Sequence, residues 1–555
     1  MTSTPERRVL LALLAISAAL QGWFVLGSDP AALLITWIPD DAFYYLQPAW
    51  NAAHGAGFSF DGIEPTYGFQ PLWAVLLAGL AAVAPSKASL VTLALLTGAV
   101  VHLAAGAMLF AWFARAGASR GGLVAAGLWL LNPDLVRMQT TGMESGLVAG
   151  LLLATLLLLD PRRRPGLLGA TLGALFLARV SMLLAGVLAI GALVRRRLGR
   201  RKAAWIALGT AAVVVPWLVY ADLALGQPLP ASTDRKIVAG LAGAARFLAD
   251  LPGVPDAPIR ALLPASEALL FDAPGLIGPT GERIWLFAVR APVGWALGAW
   301  LPGGWGLGAP VLAVGWCALV LGQRGGQPAR LPRGLGVLVL LALGNVAANN
   351  LLLSQYVEYG YWYRVPEVLT LVVLVGIAAE RALTDRRLQR LPVRALLVSL
   401  ALAGAAQLGM SLAPREHDPA SRLVARGGYD VAIALSDALP AGTRVGSWNA
   451  GLIGWLADGP VVVNLDGLAN RPDFVPIAAQ EVLVRHGVAD HLALMDWLEE
   501  EGIEYLVDLQ PDAGLGEPFY GVIPADRWEL VLRSSPLDHW TTRERDHAVM
   551  LVRFE

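Results

Sequence analysis

The chain has 555 residues, 56% of them hydrophobic and only 15% charged, and its mean hydropathy is +0.57. A soluble globular chain carries about 25% charged residues, so this composition excludes an ordinary soluble enzyme and indicates membrane-spanning helices. The lone cysteine, Cys317, excludes an internal disulfide framework and a cysteine-based zinc site. Residues 414–555 hold 23 Asp and Glu against 11 Arg, whereas the rest of the chain is basic, which indicates two compartments.

The apolar runs predict a polytopic α-helical membrane protein with about eleven transmembrane helices. Arg7 and Arg8 precede the first run, and no small-residue cleavage site follows it, which favours an uncleaved helix over a signal peptide. The predicted helices are 9–27, 88–113, 121–138, 145–159, 166–178, 181–194, 204–220, 305–322, 335–354, 366–380 and 394–412.

Basic clusters near the helix ends orient the chain, because Lys and Arg in short loops stay on the cytoplasmic side. This rule places the N-terminus in the cytoplasm and the segments 28–87 and 221–304 on the outer face. We therefore expect a multi-pass domain, 1–413, in the cytoplasmic (inner) membrane. A C-terminal domain, 414–555, is expected to be extracytoplasmic or periplasmic.

Two apolar stretches need a special interpretation to satisfy that rule. Residues 71–85 form a short run with proline at both ends, and we interpret it as a juxtamembrane or re-entrant helix. Residues 166–194 are apolar apart from Arg179. Two short helices that meet at Arg179 on the outer side keep this charge out of the hydrocarbon, where it costs at least ~2.5 kcal/mol.

The tail, 414–555, alternates helix-like and β-rich segments, which predicts a small α/β domain. Helices are expected at Ser421–Leu439 and Ala489–Glu501, and strands at Thr443–Ser447, Val461–Leu465, Tyr505–Asp508 and Ala548–Phe554.

Adjacent carboxylates, Asp40 and Asp41, follow the first membrane helix. Burial and mutual repulsion raise the pKa of at least one such carboxyl group, which suits a general base. A simple cap on a helix that runs from Phe43 to Ala53 is the alternative.

Basic residues are sparse on the outer side, and one acid, Glu144, also stands out there. Glu144 begins a helix, where capping is the alternative to a catalytic role. Arg179 is a candidate ligand for a lipid phosphate, with a snorkelling anchor as the alternative. Further outer cations are Arg235, Lys236 and Arg364.

Aromatic and polar residues fill the same outer segments and suggest a surface for an amphipathic ligand, although an aromatic belt at the membrane interface is the alternative. The candidate substrate-binding residues are Tyr44, Tyr67, Gln70, Trp73, Tyr361 and Trp362. In the tail, Asn449, Asn464 and Asp466 either hold a glycan acceptor or satisfy turns.

The motifs together resemble those of bacterial membrane glycosyltransferases of the GT-C fold. They are Asp40-Asp-Ala-Phe-Tyr-Tyr45, Thr66-Tyr-Gly-Phe-Gln-Pro-Leu-Trp73, Gly142-Met-Glu-Ser145, Arg179, Pro228-Leu-Pro230, Tyr361-Trp-Tyr-Arg364, Val445-Gly-Ser-Trp-Asn449 and Val463-Asn-Leu-Asp-Gly467. Related groups are the protein mannosyltransferases, the aminoarabinose transferases and the arabinofuranosyltransferases. Such relatives often carry Asn and His where this chain has Tyr67 and Gln70.

The resemblance implies an inverting transfer of a sugar from a polyprenyl-phosphate carrier to an acceptor hydroxyl outside the cytoplasm. Asp40 would be the base, and Asp41 and Glu144 would orient the acceptor or tune Asp40. Arg179 and Arg364, with Arg235 and Lys236, would bind the lipid phosphate. The implied partners are the lipid-linked donor, a glycan, lipid or protein acceptor, and membrane lipids, with no nucleic acid. No obligatory cofactor is expected, and a divalent metal stays an open alternative.

Other classes of membrane protein remain as alternatives. A secondary transporter usually shows inverted repeats and midplane polar residues, and few midplane charges occur here. A non-catalytic scaffold or sensor would tolerate loss of the Asp pair. A ligase or polymerase that uses pyrophosphate-linked glycans is the alternative within enzymes.

Overall fold

The computed structural model describes residues 4–159, 164–194, 199–230, 331–347, 364–384, 423–467 and 492–511, together with shorter segments at 412–413, 416–417, 469–470, 474, 477, 528–535, 537–538 and 546–554. The helices expected at 305–322 and 394–412 lie almost wholly outside the described residues. So do most of the outer segment 221–304 and the second half of the helix expected at 335–354.

The regular secondary structure of the membrane part of the described chain is helical. Its helices are α1 Thr4–Gly27, α2 Pro30–Thr36, α3 Asp40–Ala53, α4 Pro71–Ala81, α5 Lys87–Arg115, α6 Ser119–Leu131, α7 Pro133–Gln139, α8 Ser145–Leu158, α9 Pro165–Ala178, α10 Leu183–Val194, α11 Arg200–Leu225, α12 Leu335–Ala347 and α13 Val365–Thr384. A loop with one isolated β-bridge, between Ser59 and Pro65, separates α3 from α4.

Three of these helices, α1, α5 and α11, are both long enough and apolar enough to cross a membrane. Several other apolar helices are shorter, and the number of spans therefore stays a prediction. Helix α4 has 11 residues, which gives about 16 Å of length at 1.5 Å per residue. The hydrocarbon core is roughly 30 Å thick, so α4 is too short to cross it in one pass.

The outward faces of the long helices are apolar. Leu11 and Leu26 of α1 and Leu208 and Leu223 of α11 are exposed. An apolar residue that faces outward is satisfied by lipid tails, so these faces suit contact with a bilayer.

The break at Arg179 is confirmed. Helix α9 ends at Ala178, Arg179 is extended (φ −163°, ψ 114°), and a short 3₁₀ turn leads into α10. Helix α9 packs against α11 through glycines: a Cβ at Gly173 would lie 2.9 Å from the Thr210 carbonyl oxygen. Small residues allow such close approach of helices in a membrane.

Two helix boundaries differ from the expectation. The helix expected at 121–138 divides into α6 and α7, because Pro133 cannot continue α6 and the Asn132 side chain accepts hydrogen bonds from the backbone N–H groups of Asp134 and Leu135. Helix α11 continues past 220 to Leu225 and ends at Gly226, whose φ of 75° lies in the left-handed region.

The tail contains a mixed six-stranded sheet. Its elements are α14 Val424–Ala438, β1 Arg444–Ser447, α15 Ala450–Leu456, β2 Val461–Asn464, α16 Leu492–Glu500, β3 Tyr505–Pro511, β4 Trp528–Arg533, β5 Leu537–Asp538 and β6 Asp546–Phe554. The strand order is β2-β1-β3-β6-β4, and β5 also pairs with β6. Strands β2, β1 and β3 are parallel, and β6 is antiparallel to its neighbours. The expected strands are confirmed. Strands β4 and β5 were not foreseen, and β4 is mostly exposed rather than buried.

The tail packs directly on the segment that follows α1. Helix α15 lies against α3, and α14 lies against α2. The ammonium of Lys87, at the start of α5, donates to the Trp455 carbonyl oxygen at 2.8 Å and lies 4.9 Å from the centre of the Trp455 ring. These contacts bring residues of the tail to the start of α3.

Candidate active site

Asp40 is the first residue of α3, and its carboxylate caps a helix of the tail. It accepts hydrogen bonds from the backbone N–H groups of Leu452 at 2.7 Å and Gly451 at 3.2 Å. Both groups belong to the first turn of α15, where N–H groups have no partner inside the helix. The alternative of a simple cap on α3 does not hold for Asp40, because Pro39 occupies the N-cap position of that helix, with no side-chain cap bond.

Gly451 makes this contact possible. A Cβ at position 451 would lie 2.6 Å from Cγ of Asp40 and would also collide with the Asp40 carbonyl oxygen. Real Cβ atoms do not approach other atoms so closely, so any side chain here would push α15 away from α3.

The environment of Asp40 raises its pKa to about 7. Burial is the largest cause, and the nearby carboxylates of Asp41 and Asp466 add to it, whereas the two N–H donors of α15 oppose the rise. A carboxyl group with a pKa near neutrality is suited to accept a proton and release it again.

Tyr44 lies one helical turn beyond Asp40 and joins α3 to the end of β2. Its hydroxyl accepts a hydrogen bond from Asn464 Nδ2 at 3.1 Å and lies 3.4 Å from Oδ2 of Asp466. Burial and the Asp466 carboxylate raise the pKa of Tyr44 well above its usual value. The phenol therefore stays neutral, and its binding of a substrate stays a prediction.

Glu144 and Arg179 form a buried ion pair. Oε1 of Glu144 lies 3.2 Å from Nη1 of Arg179, and both side chains are at most 5% exposed. The other carboxylate oxygen of Glu144 accepts from the Tyr45 hydroxyl at 2.9 Å. Glu144 occupies the N-cap position of α8, as its capping alternative requires, but its side chain makes no cap bond. Arg179 is too buried to be a snorkelling anchor.

A second buried acid, Glu367, lies at the start of α13 beside these groups. Both of its carboxylate oxygens accept from Asn345 Nδ2, at 2.9 and 3.1 Å, and both Arg364 and Arg179 act on it electrostatically. Arg364, Glu367 and Asn345 are all buried. The sequence interpretation missed Glu367 and Asn345. An isolated acid in an apolar run is the signal that points to them, because polar groups inside a membrane are usually functional.

Gln70 and Trp73 hold the segments that carry the ion pair. Gln70 Oε1 accepts from the backbone N–H of Val180 at 2.9 Å, next to Arg179. Trp73 Nε1 donates to the Gly142 carbonyl at 2.7 Å, and its ring is fully buried. These contacts give both residues a positioning role, and direct contact with a substrate stays a prediction.

Tyr67 lies in an aromatic cluster against α11. Its hydroxyl accepts from Trp217 Nε1 at 2.8 Å, and its ring packs edge-on against Trp217 and tilted against Phe69. Burial raises the pKa of Tyr67 to about 12. The cluster fixes the loop 58–70 against the membrane helices.

The remaining candidates cannot be placed, because Arg235, Lys236, Tyr361 and Trp362 lie outside the described residues. Within the described part of the chain, no group of three or more His, Cys, Asp or Glu side chains could hold a metal ion. The absence of an obligatory metal stays a prediction.

Comparison with known proteins connects this geometry to a fold. Residues 420–551 match the family model DUF8728, described as a domain of unknown function. None of the curated proteins matches the chain.

Solved structures match over nearly the whole length. ArnT from Cupriavidus metallidurans bound to undecaprenyl phosphate is 14% identical, with a TM-score of 0.53, and the match covers 98% of this chain and 97% of that protein. The archaeal oligosaccharyltransferase AglB from Archaeoglobus fulgidus, in complex with an inhibitory peptide and a dolichol-phosphate, is also 14% identical. Its TM-score is 0.51, and the match covers 91% of this chain and 70% of that protein. At such identities a likeness shows the fold alone, and the chain has the GT-C fold.

Proposed function

We propose that this protein is a glycosyltransferase that moves a sugar from a polyprenyl-phosphate carrier to an acceptor hydroxyl at the outer surface of the membrane. One observation carries the proposal. Helix α3 presents Asp40, with a pKa of about 7, at its start. It also connects, through Tyr45, to the buried pair of Glu144 and Arg179. The bound molecules of the two fold relatives, undecaprenyl phosphate and a dolichol-phosphate, support this class of donor.

The reaction needs a base on one side of the anomeric carbon. Asp40 accepts the proton of the acceptor hydroxyl as that oxygen attacks the sugar. A carboxylate has about four lone-pair positions, and the two N–H donors of α15 fix its orientation while lone pairs remain for the acceptor. Burial keeps the Asp40 pKa high, and the Asp41 carboxylate adds to the rise.

The opposite side of the sugar needs positive charge. When the glycosidic bond breaks, the carrier leaves as a phosphate whose negative charge grows in the transition state, and fixed cations stabilise it. Arg179, held in place by Glu144, and Arg364 have this role. Direct displacement inverts the anomeric centre. A monophosphate leaving group has no diphosphate to neutralise, so we expect no obligatory metal.

The proposal includes the topology: about eleven transmembrane helices in the cytoplasmic membrane, the N-terminus inside and the domain 414–555 outside. It also includes a hexosyl or pentosyl transfer in the synthesis of a cell-envelope glycan. The apolar outer faces of α1 and α11 support membrane insertion.

The test is transfer in membranes of a null strain that expresses the wild type or variants at matched protein levels. Asp40→Asn and Arg179→Gln are expected to stop transfer, so that mass spectrometry detects accumulation of the polyprenyl-phosphate sugar. Glu529→Gln, at an exposed position of β4, is the matched control and should transfer normally. If the Asp40 and Arg179 variants also transfer normally, the site is structural, and a transporter or scaffold explains the protein better.

A further inference from the structure

Asp508 is a fully buried acid of the tail, on β3 beside the end of the neighbouring strand β1. Its Oδ2 accepts hydrogen bonds from the backbone N–H groups of Trp448 at 3.0 Å and Asn449 at 3.3 Å. Its Oδ1 accepts from the side-chain amide of Asn449 at 2.6 Å. A buried carboxylate is costly unless donors surround it, so these bonds fix the turn between β1 and α15. The proposed chemistry leaves this acid without a role.

Asn449 occupies the N-cap position of α15, yet its side chain makes no cap bond to that helix. Asparagine is among the residues that helices prefer at this position, because its side-chain oxygen accepts from the N–H group of the second or third helical residue. In α15 those residues are Gly451 and Leu452. Their N–H groups donate to Asp40 instead, at 3.2 and 2.7 Å. Asp40 therefore makes the two bonds that an Asn449 cap would make.

The contact with Asp508 accounts for this exchange. It holds the Asn449 amide in an orientation that makes no cap bond, and a carboxylate suits this purpose because it accepts hydrogen bonds and donates none. An Asn449 side chain that lost this contact would compete with Asp40 for the same N–H groups. It would be a strong competitor, because it is adjacent in the chain to the helix that it caps.

We propose that Asp508 and Asn449 are positioning residues that reserve the first turn of α15 for the carboxylate of Asp40; the role of Asp40 as the base rests on the proposed function. Asp508 holds the Asn449 amide, the first-turn N–H groups of α15 hold Asp40, and the base keeps one orientation toward the acceptor. Asp508 acts through these contacts and not on the reacting atoms.

The same contacts affect the pH at which Asp40 titrates. The two N–H donors of α15 lower the pKa of Asp40 and oppose the effects of burial and of the Asp41 and Asp466 carboxylates. The phenol of Tyr44 also lies electrostatically close to Asp40, and α15 itself carries no titratable side chain. Loss of the two donors therefore raises the Asp40 pKa. Loss of the negative charge at position 508 would by itself lower it, so the sign of the shift separates the two effects.

The experiment measures the pH dependence of transfer and of thermal unfolding in full-length Asp508→Asn, in which one amide faces another and Asn449 loses its acceptor. The apparent pKa should rise by about one unit, a size typical of hydrogen bonds to a charged group. Transfer at pH 7 should fall about fivefold, because a smaller fraction of Asp40 is then ionised. Asp437→Asn, the same change at an exposed position of α14, is the matched control and should leave both curves unchanged.

The decisive variant removes the competing side chain. Asp508→Asn combined with Asn449→Ala should return the apparent pKa to the wild-type value, because alanine cannot cap α15, whereas a merely structural defect would persist. Asn449→Ser is the converse variant. Serine is a preferred cap, and its hydroxyl is one bond too short to replace the amide at Asp508, so the pKa should rise with no change in charge. This variant decides if protease sensitivity of the tail shows that Asp508→Asn does not fold.

Two results would overturn the proposal: an apparent pKa that stays or falls in folded Asp508→Asn, or a rise that persists when Asn449→Ala is added. Thermal unfolding reports the titration of Asp40 without catalysis, and it separates this proposal from the proposed function. If the unfolding curves shift as expected while Asp40→Asn transfers normally, Asp508 positions Asp40 but Asp40 is not the base. If Asp40→Asn is inactive and the curves do not shift, the role of Asp508 alone is refuted.

Discussion

Replacing Asp40 by asparagine should make the protein inactive and, above neutral pH, more stable. In the folded protein the pKa of Asp40 is raised from 3.8 to about 7, with burial as the main cause. The folded state therefore holds this proton more tightly than the unfolded chain. The stability that Asp40 contributes is fully present below pH 3.8 and is lost as the pH rises through about 7.

The size of the effect follows from the shift. A pKa difference of about three units corresponds to about 4 kcal/mol at 1.36 kcal/mol per unit. This value is an upper limit. Because Asp40 is partly exposed, solvent screening lowers the effect to about 2 kcal/mol. The asparagine side chain of the variant stays neutral and keeps one carbonyl oxygen for the Leu452 N–H, and the lost bond to Gly451 costs about 1 kcal/mol.

The assay is thermal unfolding in detergent between pH 5 and pH 8, combined with transfer activity. Across this pH range the unfolding temperature of the wild type should fall more steeply than that of Asp40→Asn, so that plots of unfolding temperature against pH cross for the two proteins. Asp41→Asn serves as a second probe: it removes a neighbouring negative charge, lowers the Asp40 pKa and moves the transition to lower pH. Parallel curves for wild type and Asp40→Asn, or full activity of that variant, would refute the reasoning.

Three further predictions concern the tail contact, the ion pair and metals. Gly451→Ala should weaken the docking of α15 on Asp40 by about 1–3 kcal/mol through overpacking, which proteolysis of the tail measures. The control is Gly428→Ala in α14, whose Cβ would meet only ordinary contacts at 3.8 Å or more. Equal protease sensitivity of the two variants would contradict a tight contact at Gly451. Glu144→Gln removes the carboxylate that lies 3.2 Å from the buried Arg179 guanidinium and should cost about 3–5 kcal/mol in unfolding free energy. A decrease in melting temperature smaller than that of an exposed control variant would show that the pair is solvated. Chelation should leave transfer intact, and loss of transfer that added metal restores would show that a metal is required.

Residue types and spacing were sufficient for several parts of the site. Asp40, Glu144 and Arg179 stand out because charges are rare near apolar runs, and the break at Arg179 follows from the cost of a charge in hydrocarbon. The strands β1, β2, β3 and β6 follow from their apolar and β-branched runs. These are local properties, which depend on neighbours in the chain.

Other parts required the tertiary structure. The partners of Asp40 lie 411 and 412 residues away, and only the docking of α15 on α3 brings them within 3.2 Å. Spacing alone therefore suggested a cap on the wrong helix. Glu367 was overlooked for the same reason, because its neighbours lie elsewhere in the chain: Asn345 is on α12, and Arg179 is at the break after α9.

The sequence by itself thus determined that the chain is a helical membrane protein with an α/β tail and a few charged residues close to apolar runs. The tertiary structure decided which of those charges meet and which are shielded from water. The physical reason is that apolar periodicity and charge depletion act through the free energy of transfer from water to the membrane, which each residue contributes separately. In contrast, pKa values and ion pairs depend on the distances between elements that are remote in the chain.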